Sequence, residues 1–407
     1  MNAILQPSTL AGTIPAIASK SQAHRLLICA ALADGPTAVA CPTLSADIAA
    51  TADCLRALGA AILYRDGVFS VLPIAAVPDH PTLDCGESGS TLRFLLPVVC
   101  ALGANASIKM HGRLPERPLS PLWEELERHG AGLSRPEPDV IAVEGRLTPG
   151  NYTLAANVSS QFISGLLFAL PLLAGASTVT LTGPLESASY ITMTVRALGQ
   201  FGLDCSLTGN IFTVPCRARY ASPGHVAVEG DWSNAAFWVV ADRICGGTLD
   251  VTGLAPDSPQ GDRAVLDLAG RIGAGNAVID CRDVPDLVPV LSVLAAVTPG
   301  STRFINAGRL RIKESDRLAA TVGLLRALGG EAEELPDGLV ITGRPRLTGG
   351  QVDSANDHRI AMSAAVAALA CEGPVLLRGA QAVNKSYPAF WDDYARLGGK
   401  VTLEGTP

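Results

Sequence analysis

The sequence of 407 residues lacks the patterns that mark metal-binding, disulfide-bonded or membrane-inserted proteins. Its ten cysteines are scattered, with no C-x-x-C pair and no paired histidine spacing, so they indicate neither a zinc site nor a disulfide framework. The longest apolar run, 163–176, contains Ser164, Gly165 and Pro171 and is too short to span a bilayer. No basic segment precedes an apolar core at the N-terminus, so we predict a soluble, cytoplasmic protein without a secretory signal.

Charge is also sparse, with 17% charged residues against 48% hydrophobic residues and a net charge of −7. This apolar content supports sizeable cores, and the length favours two domains. The negative net charge disfavours nucleic acid and anionic membranes as partners. Because exposed charges are screened beyond about 8–10 Å, an anionic ligand would need a local basic cluster.

One pattern occurs six times: a helical segment, a glycine and then a β-like run. The glycines that end the helical segments are Gly59, Gly130, Gly202, Gly273, Gly329 and Gly398. A glycine after the last helical turn is a typical C-terminal cap, since the left-handed conformation costs it little. The spacing is about 70 residues, with one interval of about 55, which indicates a duplicated unit. We predict an α/β fold with three units per domain and a change of domain near 222–230.

The segment 306–318, NAGRLRIKESDRL, interleaves four cations with two carboxylates. A helix beginning near Ile312 would place Lys313 and Arg317 on one face and turn Glu314 by about 100°. Such a face could bind an anion beside an acid–base group. The alternative is a solvated turn held by surface ion pairs.

Small, polar and basic residues also stand at the start of several apolar helical segments. Free N–H groups, the positive end of the helix dipole, hydroxyls and a cation together make an anion site, whereas capping alone needs one polar side chain. Asp231 is predicted to be such a cap. Cations recur at these positions in both halves of the chain, which favours a pocket for polyanions. They are Lys20, Arg25, Arg93, Arg117, Lys313, Arg317, Arg359 and Lys385.

In their order along nearly the whole chain, these motifs resemble the 5-enolpyruvylshikimate-3-phosphate synthases of the enolpyruvyl transferase family. The most specific part is R-x-K-E-S-D-R at 311–317 followed by D-H-R at 357–359. The resemblance implies a two-domain inside-out α/β barrel, with three βαβαββ-like units about a pseudo-threefold axis in each domain. It implies domains of residues 14–227 and of residues 1–13 plus 228–407, with the active site in the interdomain cleft.

The resemblance also implies a reaction, in which the enolpyruvyl group of phosphoenolpyruvate moves to the 5-hydroxyl of shikimate 3-phosphate and phosphate is released. No metal or organic cofactor is implied, and we expect a monomer. Shikimate 3-phosphate would contact Lys20, Ser21, Arg25, Ser159, Ser160, Gln161, Ser187, Tyr190, Asp286 and Lys313. Phosphoenolpyruvate would contact Lys20, Gly89, Arg93, Arg117, Gln161, Arg317, Arg359 and Lys385.

Four residues would be catalytic, because the reaction needs a base, a proton donor and charge stabilisation on the departing phosphate. Asp286 would accept the proton of the attacking hydroxyl. Glu314 would handle the proton at the methylene carbon. Lys20 and Lys385 would stabilise charge and protonate the leaving group.

Two positions depart from the family pattern. Residues 86–90 are G-E-S-G-S where well-known members have G-N-A-G-T, so we assign Glu87 no ligand role, and Arg309 stands where many members have Asn. One alternative is a UDP-N-acetylglucosamine enolpyruvyl transferase, which typically uses a loop cysteine that residues 113–117 lack. A second is a non-catalytic polyanion-binding protein of the same fold, for which an acid–base pair would have no use.

Overall fold

The computed structural model describes residues 1–215 and 219–405. The chain forms two compact units, residues 18–228 and residues 1–17 with 229–407. Each unit has its own core of buried aliphatic and aromatic side chains. Within the described chain nine cysteines are unpaired and all but Cys245 are buried, whereas Cys216 lies outside the described residues.

The helices coincide with the apolar segments of the sequence, and most of them bury one face or more. Among the described residues, no helix is long and apolar enough to cross a membrane. The α-helices are α1 (Lys20–Ala31), α2 (Ala46–Ala57), α3 (Gly89–Leu102), α4 (Leu122–Arg128), α5 (Ser160–Ala169), α6 (Ala188–Gln200), α7 (Trp232–Cys245), α8 (Val265–Gly273), α9 (Val288–Ala296), α10 (Arg317–Ala327), α11 (His358–Ala368) and α12 (Phe390–Arg396).

The strands are short, and many alternate buried with exposed residues, as expected for sheets with one face against a core. They are β1 (Asn2–Gln6), β2 (Gly12–Pro15), β3 (Thr37–Ala40), β4 (Ala61–Arg65), β5 (Val68–Leu72), β6 (Thr82–Asp84), β7 (Ala106–Lys109), β8 (Ala131–Glu137), β9 (Val140–Gly145), β10 (Asn151–Ala155), β11 (Ser177–Thr182), β12 (Ser206–Thr208), β13 (Ile211–Val214), β14 (His225–Ala227), β15 (Leu249–Thr252), β16 (Ala277–Asp280), β17 (Ser301–Ile305), β18 (Glu331–Leu335), β19 (Gly338–Thr342), β20 (Gly350–Asp353), β21 (Val375–Arg378) and β22 (Lys400–Glu404).

In its described residues, the unit of residues 18–228 contains three four-stranded sheets of one topology. Their strand orders are β14-β3-β5-β4, β6-β7-β9-β8 and β10-β11-β13-β12. In each sheet the first two strands are parallel and the other pairs are antiparallel. The segment from β10 to β13, with α5 and α6 between its first three strands, therefore follows the predicted βαβαββ order.

The other unit has two sheets of the same topology, with orders β16-β17-β19-β18 and β20-β21-β1-β22. Its third sheet, among the residues that the structure describes, consists of β2 and β15 alone, paired in parallel from Gly12 with Leu249 to Pro15 with Thr252. The chain passes from α8 to β16 without the hairpin that follows the second helix in the complete repeats. This missing hairpin explains the one short interval between the glycines.

Five of the six predicted glycine caps have positive φ angles, from 75° at Gly202 to 104° at Gly59. The prediction was wrong at Gly273, which is the last residue of α8. There the left-handed residue is Gly275, with φ of 78°. In each case the glycine directly follows the residue that caps the helix, where a side chain would be strained.

Candidate active site

Helix α1 begins with a cation, which is unfavourable next to the positive end of a helix dipole. Lys20 is the first residue of the helix, and its Nζ lies 2.7 Å from Oδ2 of Asp47 in the first turn of α2. Ser19 occupies the capping position, but its side chain makes no capping hydrogen bond. The ion pair with Asp47 offsets the repulsion and holds the Lys20 ammonium at the start of α1.

Arg25 belongs to α1, and its buried side chain bonds to α6. Its Nε donates to Thr194 Oγ1 at 2.8 Å, and its Nη atoms donate to the carbonyls of Ser21 at 2.6 Å and Tyr190 at 2.8 Å. Burial lowers the pKa of Arg25 to about 10, so the side chain is still protonated at neutral pH. Arg25 therefore links Ser21 and Tyr190, two predicted ligand residues.

The start of α3 brings two guanidinium groups onto a glycine. A Cβ added to Gly89 would lie 2.6 Å from Nη1 of Arg93 and 2.7 Å from Nη1 of Arg117. The side chain of Ser88 caps this helix by accepting a hydrogen bond from Thr91 N. Two cations at the positive end of a helix form a strong site for an anion, and only glycine leaves room for them.

Gln161 extends this cluster from α5. Arg93 Nη1 donates to Gln161 Oε1 at 3.1 Å, and Gln161 Nε2 donates to Ser90 Oγ at 3.0 Å. Helices α3 and α5 approach closely because Gly165 packs against the carbonyl of Arg93. The predicted Ser159-Ser160-Gln161 motif lies at the start of α5, where Ser159 Oγ accepts a hydrogen bond from Gln161 N at 3.3 Å.

Ser187 has a conformation that is unusual for its residue type. It precedes α6 with φ of 54° and ψ of 42°, is buried, and its side chain makes no capping hydrogen bond. A non-glycine residue held in the left-handed region stores backbone strain, which is often found at functional sites. Tyr190 follows within the first turn of the same helix and is half-buried.

The carboxylate of Glu87 lies against Gly112, which has φ of 55°. The absence of a side chain at Gly112 provides the space for this contact. The carboxylate that replaces the family's amide therefore packs on the loop that follows β7.

In the unit of residues 1–17 and 229–407, a single guanidinium binds three carboxylates. Arg317 is 1% exposed, with its nitrogens 2.8 Å from Asp286, 2.7 Å from Glu314 and 2.8 Å from Asp357. Although burial disfavours its charge, the three carboxylates raise the pKa of Arg317 above its ordinary value. The carboxylates come from the short 3-10 helix Pro285–Leu287 before α9, the segment before α10 and the cap of α11, so this cation joins three elements.

Asp286 also binds Arg359 of α11, with 3.1 Å between its Oδ2 and Arg359 Nη2. Burial alone would raise the pKa of Asp286, but Arg359, Lys313 and Arg317 hold it well below the ordinary value. Asp286 is therefore ionised at neutral pH.

The predicted helix from Ile312 is wrong. A short 3-10 helix, Gly308–Ile312, is followed by extended backbone at Lys313, and α10 begins only at Arg317. Asp316 sets this start because its side chain accepts a hydrogen bond from Ala319 N, as an N-terminal cap does. Lys313 and Arg317 therefore share no helix face.

Lys313 is half-buried, and this burial lowers its pKa to about 8, although Asp286 acts in the opposite direction. The other charges of the segment have structural partners. Arg311 binds Asp316 at 2.9 Å and Glu334 at 2.7 Å. Arg309 donates to the carbonyl of Arg282 at 2.8 Å.

Lys385 ends the short 3-10 helix Ala380–Lys385 and donates from Nζ to the carbonyl of Asn356. Asn356 has φ of 53° and directly precedes Asp357, the cap of α11. The backbone of Arg359 donates to Asp357 Oδ1 at 2.9 Å. Lys385 is thus held beside the turn that positions Asp357 and Arg359.

Sequence reasoning missed two carboxylates that contribute to these clusters. Asp47 binds Lys20, and the buried Asp262 interacts electrostatically with Asp286 and Arg359. A single aspartate without a neighbouring motif has no local pattern that would have indicated either contact. Within the described chain, no three His, Cys, Asp or Glu residues are grouped to hold a metal ion.

The chain is similar to proteins of one family over nearly its whole length. Residues 4–394 match the family model of EPSP synthase (3-phosphoshikimate 1-carboxyvinyltransferase). The 3-phosphoshikimate 1-carboxyvinyltransferase of Clostridium acetobutylicum is 40% identical, with 98% of each chain covered, and that of Clostridium novyi is 38% identical, with 97% of each covered.

Solved structures agree with this likeness. An EPSP synthase from Acinetobacter baumannii has a TM-score of 0.81 at 25% identity, covering 99% of this chain and 100% of its own. The enolpyruvyl transferase NikO from Streptomyces tendae has a TM-score of 0.80 at 20% identity, covering 100% and 99%, and shares the fold. The predicted α/β fold class is confirmed, and the chain belongs to the EPSP synthase family.

Proposed function

We propose that the chain catalyses transfer of the 1-carboxyvinyl group of phosphoenolpyruvate to the 5-hydroxyl of shikimate 3-phosphate, with release of phosphate. As a member of the EPSP synthase family, it is an enzyme and a transferase of the shikimate pathway. The observation that best supports a catalytic role is the buried Arg317 with its three carboxylates. Binding of polyanions alone would be weakened by such a concentration of negative charge.

We propose that phosphoenolpyruvate is bound mainly by guanidinium groups. In one unit, Arg93 and Arg117 over Gly89 offer two cations and a helix N-terminus to one anionic group. In the other unit, Arg317 and Arg359 are proposed to bind the remaining negative charge of phosphoenolpyruvate. The proposed set for this substrate is Lys20, Gly89, Arg93, Arg117, Gln161, Arg317, Arg359 and Lys385.

Shikimate 3-phosphate is proposed to bind a group of side chains rich in hydroxyls, most of which belong to the unit of residues 18–228. The contacts that Arg25 makes with Ser21 and Tyr190 support this, because they bring two helix starts together. The strained Ser187 supports it as well. The proposed set is Lys20, Ser21, Arg25, Ser159, Ser160, Gln161, Ser187, Tyr190, Asp286 and Lys313.

The geometry suggests how Asp286 becomes an effective base. Burial acts to raise the pKa of Asp286, but Arg359, Lys313 and Arg317 hold it well below its ordinary value, which makes Asp286 a weak base. The two substrates together carry about five negative charges, by the ordinary ionisation of phosphates and carboxylates. Anions that bind these cations offset their charge, so the pKa of Asp286 rises when both substrates are present.

Glu314 is proposed to handle the proton at the methylene carbon. It shares Arg317 with Asp286, so one cation orients both carboxylates of the acid–base pair. Lys20 and Lys385 are proposed to stabilise the departing phosphate. The two compact units are proposed to be the two domains, and we further propose that the enzyme acts in the cytoplasm as a monomer.

The test is phosphate release, measured with phosphoenolpyruvate plus shikimate 3-phosphate, with phosphoenolpyruvate plus UDP-N-acetylglucosamine, and with phosphoenolpyruvate alone. We expect release only with shikimate 3-phosphate. Release that depends on the aminosugar nucleotide would replace the proposal with the related transferase activity. No release with either acceptor would favour a non-catalytic binding protein.

A further inference from the structure

Asp262 is a buried carboxyl group that the proposed mechanism does not use. It lies in the short 3-10 helix Gly261–Ala264 before α8 and is 2% exposed. Its Oδ2 accepts a hydrogen bond from Ser233 Oγ in the first turn of α7. Its Oδ1 accepts no hydrogen bond from any residue that the structure describes. A buried carboxylate oxygen without a donor is costly, so this group needs another explanation.

The segment around Asp262 is fixed against the start of α7. Gln260 accepts a hydrogen bond from Trp232 N at 2.9 Å and donates to the carbonyl of Gly230 at 2.7 Å. Asp231, which lies between Gly230 and Trp232 in the sequence, caps α7 by accepting a hydrogen bond from Asn234 N at 2.8 Å. This network sets the position of Asp262 independently of its charge.

Three charged groups from neighbouring elements interact electrostatically with Asp262. They are Asp231 at the start of α7, Asp286 before α9 and Arg359 of α11. Arg359 is therefore shared electrostatically between Asp262 and its ion-pair partner Asp286. A change of charge on one of these carboxyls must alter the proton affinity of the other.

Asp262 is placed to change its charge near neutral pH. Burial and the charge of Asp286 raise the pKa of Asp262 to about 7, although Arg359 and the hydrogen bond from Ser233 oppose this rise. Below that pH the group is neutral. Above it, the proton is lost to solvent and a second negative charge faces Asp286.

We propose that Asp262 is a positioning residue whose negative charge makes Asp286 a stronger base for the 5-hydroxyl proton. Ionised Asp262 repels the charge of Asp286 and competes for Arg359, and both effects favour protonation of Asp286. The inference rests on the proposed function, because it assigns Asp286 the role of base. It adds to that function a carboxyl group that touches neither substrate.

The test compares kcat between about pH 5.5 and 8.5 for the wild type and Asp262→Asn, which keeps an oxygen for Ser233. The ratio of wild-type to variant kcat should be about one at low pH and rise through a midpoint near 7 to a roughly threefold to tenfold excess. A ratio of kcat values removes the ionisations that the two enzymes share. KM for shikimate 3-phosphate should change less than about twofold, since Asp262 is proposed to act on the proton transfer, whereas KM for phosphoenolpyruvate is not a criterion because Arg359 is one of its proposed ligands.

Ser233→Ala provides a second measurement, because this variant keeps the ionisation of Asp262 and shifts its pKa. Loss of the hydroxyl donor raises the pKa of Asp262, so the pH-dependent rise in kcat should move to higher pH. Asp267→Asn, an exposed charge on α8, is the matched control and should overlay the wild type. If Asp262→Asn does not fold, the shift in Ser233→Ala decides the question.

The two proposals fail in different ways. If the wild type releases no phosphate in the presence of shikimate 3-phosphate, the proposed function is wrong. If the wild type is active but the profiles of Asp262→Asn and Ser233→Ala follow that of the wild type, the role of Asp262 is refuted and the function stands. A uniform loss of kcat at every pH would indicate a purely structural role and would also refute it.

Discussion

Replacing Arg317 by methionine should destabilise the unit of residues 1–17 and 229–407 by about 3–5 kcal/mol at pH 7, the cost of removing one partner from buried ion pairs. Arg317 is 1% exposed and lies within 2.8 Å of three carboxylates. Methionine fills much of its volume but leaves those charges without their common cation. The loss should therefore exceed that of any exposed ion pair.

The destabilisation should depend on pH. Burial acts to raise the pKa of Asp357, but Arg317, followed by His358, acts in the opposite direction, and the pKa lies below its ordinary value. A carboxyl whose pKa is lowered in the folded state adds stability above its unfolded pKa, and this stability is lost as the pH falls. Because the variant lacks the cation, the difference between wild type and variant should shrink below about pH 4, where unfolded carboxyls become protonated.

Urea unfolding followed by tryptophan fluorescence measures this effect, since Trp232, Trp238 and Trp391 belong to that unit. Arg311→Met is the matched control. Arg311 also binds two carboxylates, but its side chain is 30% exposed, so we expect a loss of about 1 kcal/mol or less. Equal losses in the two variants, or a loss at Arg317 that does not change with pH, would refute the reasoning.

Gly89→Ala should raise KM for phosphoenolpyruvate by at least about tenfold with little change in Tm, because its Cβ displaces Arg93 and Arg117. Gly199→Ala, where a Cβ meets nothing within 4 Å, is the control, and an unchanged KM in Gly89→Ala would contradict the anion site. Lys20→Met should lose activity while keeping its thermal transition; turnover close to that of the wild type would exclude Lys20 from the chemistry. Asp262→Asn should gain stability over the wild type by about 1.4 kcal/mol per pH unit between roughly pH 4 and 7, since a raised folded pKa costs stability as the pH rises to that pKa. Urea midpoints measure this gain, and a difference that stays flat with pH would rule out the raised pKa.

The repeated fold could be predicted because its signal is local. A glycine cap after a helix depends on the φ angle of that one residue and on no distant contact. Five of the six predicted cap positions are correct. The fourth predicted cap, Gly273, is wrong because α8 continues to Gly273 and is capped by Ala274, so the left-handed glycine is Gly275. The short interval between two of the glycines already indicated that one repeat lacks part of its chain. Spacing alone does not show that the missing part is a hairpin, or which strands are absent.

The conformation of the charged segment was predicted less well. Charge periodicity favoured a helix from Ile312, but the capping preference of Asp316 decided the helix start. The same preference was correctly used at Asp231, which caps α7 as predicted. Where the two signals disagree, the cap is specific to one residue, whereas charges at i and i+4 also occur on extended segments.

The clusters themselves depend on contacts that are distant in sequence. Asp286 and Asp357 lie far from Arg317 along the chain, and only the packing of α9, α10 and α11 brings them to one guanidinium. The family resemblance pointed to Asp286, Glu314 and Arg317 as expected site residues, but it did not indicate this ion-pair geometry. Asp262 has no motif of its own, so its place beside Arg359 appears only in the folded chain.

The most direct test of the account is Glu314→Gln, which keeps the side-chain shape beside Arg317 and removes the charge. Calorimetric titration with shikimate 3-phosphate should give a Kd within about threefold of the wild type, since Glu314 is not among the proposed ligands. Phosphate release with both substrates should fall by at least about a hundredfold, the usual contribution of a general acid–base group. Turnover close to that of the wild type would contradict the assignment of Glu314 and the proposed division of roles around Arg317.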